Sequence, residues 1–77
     1  MKTFVERRLV QIRAIADKKG YPVSCDIYYD DLRVHRGEQF VVKLHGHAIF
    51  DDIDEHFRAP SIRRALNMAI DFMRKVQ

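Results

Sequence analysis

The chain places one hydroxyl and two guanidinium groups together at Ser61-Ile62-Arg63-Arg64, at the start of an apolar-periodic stretch. A helix beginning there would also leave its first backbone amides without intrahelical partners, and such a group of donors suits a phosphate. A second constellation is His45-Gly46-His47 with His56 and the carboxylates Asp51, Asp52, Asp54 and Glu55. Two histidines spaced by one can share a strand face, and imidazole is a good zinc ligand. The set lacks a fixed ligand geometry, and the acidic run lacks the glycine and spacing of a calcium loop. A polar sheet face and a solvated acidic connection account for these residues, so no metal is assigned. Cys25 is the single cysteine. It excludes an internal disulfide, sits in an alternating apolar pattern without nearby bases, and reads as a buried structural thiol. There is no Gly-rich phosphate loop, so no catalytic residue, cofactor or small-molecule substrate is assigned.

The elements that position these groups follow from two periodicities. Thr3 and Glu6 have the spacing of a capping box, and Val5, Leu9, Ile12, Ile15 and Ala16 recur at helical spacing behind them. Gly20 can end that helix and Pro22 prevents its resumption, which predicts a helix over about 4–19. From Val23 the period is two: Val23, Cys25, Ile27 and Tyr29 share one face, with Ser24, Asp26 and Tyr28 on the other. Asp30 and Asp31 break that register as a turn or a bulge, Leu32 and Val34 resume it, and Arg36-Gly37-Glu38 reads as a turn. Phe40, Val42 and Leu44 then face inward, and Val41, Lys43 and His45 outward. Gly46 reads as a tight turn or bulge, Ala48-Ile49-Phe50 as a short last strand, and 51–57 as an acidic connection. Pro60 suits the first position of a second helix, whose stripe is Ile62, Ala65, Leu66, Ala69, Ile70 and Met73. The expected fold is one α+β domain in α-β-β-β-α order, with both helices on one face of a three- or four-stranded antiparallel sheet.

Charge follows these elements. Residues 1–19 net +4, residues 58–77 net +4 and residues 20–57 net −5, so the overall +3 conceals two basic ends around an acidic centre. With 77 residues the chain has room for one domain of modest core, and dimerisation would supplement its stability. Glu6, Arg7 and Arg8 interrupt the start where a secretion signal needs apolar residues, and no run reaches the length of a membrane span. The lone cysteine fits a reducing compartment, and the expected location is cytoplasmic.

The second helix and its surroundings resemble the double-stranded RNA-binding domain. Ser61, Arg63, Ala65 and Ala69 match the spacing of that family's Ser-Lys-Lys-x-Ala-Lys helix start. His35 and Gly37 precede Phe40 much as the family's loop precedes its central strand, and Lys18-Lys19-Gly20-Tyr21-Pro22 is similar to the end of its first helix. The chain departs from the pattern at Ile62 and Leu66, which replace lysines, at His35, which stands one residue farther from Phe40, and at Ala59-Pro60, which replaces a glycine. The resemblance implies RNA contacts from helix 1 (Arg7, Arg8 or Arg13), from the first strand connection (His35, Arg36) and from the start of helix 2 (Ser61, Arg63, Arg64). Such domains read duplex RNA by shape across its minor groove.

Two function classes result. One is a non-catalytic module acting through protein–protein contact, as a homodimer or as a regulator, inhibitor or adaptor of a larger protein. It would use the outward sheet face (Asp26, Tyr28, Val41, Lys43, His45) and the acidic Asp51 and Asp52. The alternative is a nucleic-acid-binding module that holds structured or double-stranded RNA on its basic helices.

Overall fold

A computed structural model describes residues 2–20, 22–47 and 52–76, with only the backbone of His47. The order is α1 (Phe4–Lys19), β1 (Val23–Tyr29), a 3₁₀ segment (Asp31–Arg36), β2 (Phe40–His47), β3 (Asp52–Ala59) and α2 (Ile62–Lys75). The strands form one open antiparallel sheet in the order β1-β2-β3. Both helices cover the same face, so the α+β expectation holds.

Local chemistry explains where each element starts and stops. The Thr3 hydroxyl accepts from the Glu6 amide and the Glu6 carboxylate accepts from the Thr3 amide, so the capping box forms as expected. Gly20 ends α1 at φ 82°, where a Cβ would be strained, and its amide donates back to Ala16 and Asp17. Pro60 does not open α2. Ser61 is its N-cap, with its hydroxyl accepting from the Arg64 amide at 3.2 Å, because a side-chain acceptor satisfies a first-turn amide that proline leaves free.

The core is a single layer between helices and sheet. Val42, Leu44, Ile53 and Ala59 from the sheet meet Ala65, Leu66, Ala69, Ile70 and Met73 of α2 and Ile12 and Ala16 of α1. Ala65 and Ala69 are fully buried, and their small side chains let α2 lie close over β2 and β3. Leu9 and Ile27 pack against this cluster half-buried, at its margin, while Phe40, also half-buried, meets the Tyr29 ring edge-on with centroids 5.2 Å apart. Cys25 is also half-buried. Loss of water and then the Asp26 charge push its thiol up to about 11, so it stays protonated at neutral pH.

Three expectations change. The acidic stretch expected as a connection over 51–57 is instead β3, with Ile53, Phe57 and Ala59 alternating toward the helices while Asp52, Asp54, His56 and Arg58 point outward. An edge strand tolerates charge on the face that water wets, and charged side chains there discourage edge-to-edge pairing. The strand expected at 48–50 lies outside the described residues. Gly46 is neither turn nor bulge: it sits within β2, paired with Val23 and Ile53. A Cβ there would drive into the Pro22 carbonyl oxygen and stand 2.9 Å from Val23 Cα, so glycine admits a backbone crossing. Finally, the alternation expected to resume at Leu32 and Val34 is instead the 3₁₀ segment Asp31–Arg36, capped by Asp30, and the expected turn follows it at Gly37.

A candidate nucleic-acid interface

The two helices run parallel. Phe4, at the start of α1, lies under the guanidinium of Arg63, at the start of α2. At the other end Lys19 Nζ donates to the carbonyl oxygens of Arg74 and Val76, filling acceptors that the end of α2 leaves open. Both N-termini therefore emerge at one end of the molecule, and both carry arginine.

At that end Phe4, Arg7, Arg8 and Arg63 line a cleft of about 380 Å³. The Arg8 and Arg63 guanidinium carbons stand 4.9 and 4.1 Å from the Phe4 ring centre. Both are within the range of a cation–π contact. The same ring thus holds one arginine from each helix. Arg8 also donates through Nη1 to Gln11 Oε1 at 2.9 Å, which fixes its orientation along α1. Two like charges gathered on one ring also repel each other. None of the three arginines is ion-paired among the described residues, so no carboxylate in that set offsets the repulsion.

The connection between β1 and β2 reaches the same end. Gln39 Nε2 donates to the Pro60 carbonyl at 3.2 Å, and a Cβ on Gly37 would come within 3.8 Å of Pro60 Cβ, just before the α2 cap. This tie sets the 3₁₀ segment, with His35 and Arg36 exposed, beside the start of α2. Two of its three acids, Asp30 and Glu38, are engaged within the fold, and Asp31 is exposed. Asp30 Oδ1 caps the segment at Leu32, and Asp30 Oδ2 meets Arg58 Nη1 at 3.3 Å and Arg33 Nε at 3.5 Å. Glu38 lies 3.7 Å from Arg33. Arg33 and Arg58 are thereby partnered, and Arg36 is left as the cation the segment presents. Leu32 projects beside it, 81% exposed.

The nucleic-acid candidates therefore divide. Arg7, Arg8 and Arg63 converge, and His35, Arg36 and Ser61 stand near by way of Pro60. Ser61 has one lone pair engaged in the cap, which leaves its O–H and a second lone pair. Arg64 is exposed but does not line the cleft. Arg13 is elsewhere: with Leu9, Ile12, Ala16, Asp17, Pro22, Val23 and Cys25 it borders a second cleft of about 430 Å³ between α1 and β1. Phe4 was the residue sequence reading missed. Its signal is the i, i+4 spacing of Phe4 and Arg8, which brings ring and guanidinium together on one helix.

The protein-contact candidates lie on the opposite, uncovered sheet face. Pairing sets Val41 between Tyr28 and Arg58, Lys43 between Asp26 and His56, and His45 between Ser24 and Asp54. His45 Nε2 is 3.6 Å from Asp26 Oδ2, an exposed pair worth little to stability. Val41 is a correction: it faces outward as expected but is 0% exposed between Tyr28 and Arg58, so it offers no contact surface. Asp52 lies on this face opposite His47, and Asp51 is outside the described residues. Among the described residues no three metal-binding side chains gather into a site. Among them, too, no helix is long and apolar enough to cross a membrane. No protein-family model, curated protein or solved structure matches the chain.

Proposed function

We propose that this chain is a non-catalytic module that binds structured RNA through the basic end of its helical layer. The observation that carries this reading is the convergence of Arg7, Arg8 and Arg63 at paired helix N-termini, with the Arg36-bearing segment tied alongside through Pro60. Helix N-termini add partial positive charge to that of the side chains. Three elements from separate parts of the chain then offer phosphate donors on one end of a slab only 16 Å thick. A duplex, with two phosphate rows at fixed separation, is the ligand whose shape such spaced donors can register.

The test is fluorescence anisotropy against duplex RNA, duplex DNA and single strands at two salt concentrations. Arg7→Ala combined with Arg63→Ala should weaken binding and lower the slope of log K on log salt by about 2, near 0.9 for each phosphate that is no longer neutralised. Thermal stability should hardly change. No binding by the wild type at low salt with micromolar protein refutes the reading. That outcome turns attention to the uncovered sheet face, where Tyr28 is 42% exposed and could anchor a protein partner within a polar rim. There Tyr28→Ala should abolish a pull-down while the fold persists.

A further inference from the structure

We infer that Phe4, Arg8 and Arg63 form a preset phosphate clamp, in which the ring is a positioning residue for two guanidinium groups and plays no part in reading bases. The inference rests on the nucleic-acid reading of the same surface and adds what the site grips. Three observations lead to it. Among the described residues the cleft is lined by three arginines and no carboxylate, and Glu6, the acid nearest in sequence, has its carboxylate engaged by the Thr3 amide. Arg8 Nε is buried and has no hydrogen-bond partner among the described residues. No solvent reaches that N–H, so it reports on the guanidinium from inside, while the outer N–H groups of Arg8 and those of Arg63 are the donors left for an anionic oxygen. Lastly, the Phe4 ring is already engaged by both guanidinium groups, whereas base stacking needs an open aromatic face.

The ligand class is therefore a phosphate ester or anhydride, gripped by its charged oxygens. Arginine's planar fork suits two oxygens of one phosphate, and holding it on a ring reduces the side-chain freedom given up on binding. Recognition at this point is the same for every base sequence.

Inorganic tripolyphosphate, titrated into the ¹⁵N-labelled full chain at constant ionic strength, tests this directly. The Arg8 Nε–H resonance should shift saturably, and Arg63→Ala should weaken that response. Phe4→Leu keeps every charge and should weaken two duplex RNAs of unrelated sequence by the same factor, about three- to tenfold, as the arginines lose their fixed positions. An Arg8 Nε–H resonance that stays still while RNA binds leaves the RNA reading standing and overturns the clamp. So does a Phe4→Leu effect confined to one sequence, which would mean that the ring reads bases. Should Phe4→Leu fail to fold, the wild-type titration decides alone. A tripolyphosphate response without RNA binding supports the clamp and removes the proposed function.

Discussion

Replacing Gly46 with alanine should destabilise the fold, although alanine within a strand is ordinarily the better residue. Gly46 does not have a positive φ, so no backbone strain would oppose the change. By conformational entropy alone the substitution should stabilise by about 0.5–1 kcal/mol. The surroundings reverse that sign. The new methyl group would meet the Pro22 carbonyl oxygen, Val23 Cα at 2.9 Å and the Pro22 carbonyl carbon at 3.1 Å, all of them backbone. No side chain can swing aside, so the start of β1 must lift from β2. Overpacking of this kind costs about 1–3 kcal/mol, and loosening the Val23–Gly46 pairing adds about 1 kcal/mol for each hydrogen bond broken. The net expectation is a loss of about 2 kcal/mol. At roughly 0.05–0.15 kcal/mol per residue, a chain of this size holds only about 4–12 kcal/mol in all. Urea unfolding should show a lower midpoint with an unchanged m-value, and Tm should fall by about 8–16 °C. Gly20→Ala is the contrast, since its Cβ meets open space but φ is 82°, and it should lose about 1 kcal/mol through backbone strain alone. A Gly46→Ala protein as stable as the wild type, or more so, refutes the reasoning.

Leu66→Ala should cost about 2–5 kcal/mol, because Leu66 is fully buried between α2 and the sheet; circular dichroism melts will show whether the variant folds at all. The Cys25 thiol gives a pH dependence whose sign is fixed by its shift. Its folded pKa of about 11 lies above the ordinary 9.0, so between those values the unfolded chain binds fewer protons, and stability falls as pH rises through that window. Below pH 9 the group contributes no slope. Cys25→Ala should therefore remove part of the alkaline loss measured in the wild type, and identical slopes in both proteins would contradict the assigned burial.

Both helices and the first two strands were legible because each carries one clean periodicity. The Thr3 and Gly20 signals stand where the capping geometry later appears. β3 was obscured for a physical reason. Its outward positions are Asp52, Asp54, His56 and Arg58, and Glu55 interrupts the inward set of Ile53, Phe57 and Ala59, so its alternation has a charged gap. An edge strand needs only a few inward anchors, and a pattern search sees an acidic loop. Val41 shows the converse limit. Alternation assigned its face, yet its exposure depends on Tyr28 and Arg58, which only pairing brings beside it. At the candidate site, residue types marked Arg7, Arg8 and Arg63 separately. Their convergence depends on the helices being parallel, and Arg13 fell away because α1 turns it toward β1. Phe4 looked like an ordinary apolar residue, since its role lies in what another helix places over it.

The parallel setting of α1 and α2 has a consequence for how the molecule meets a partner. Antiparallel neighbours would cancel their peptide dipoles, whereas these two add, bringing both positive dipole ends, that of α1 partly offset by Glu6, to the end that already holds three arginines. The opposite end is partly compensated by Lys19 on the last carbonyls of α2. Such a molecule experiences a torque in the field of a polyanion while still a Debye length or so away, roughly 10 Å at 0.1 M salt. It turns basic end first before any contact forms, so a larger share of collisions arrives already oriented. The fold's handling of helix direction therefore acts on association rate, and raising the salt should slow capture more than it hastens release.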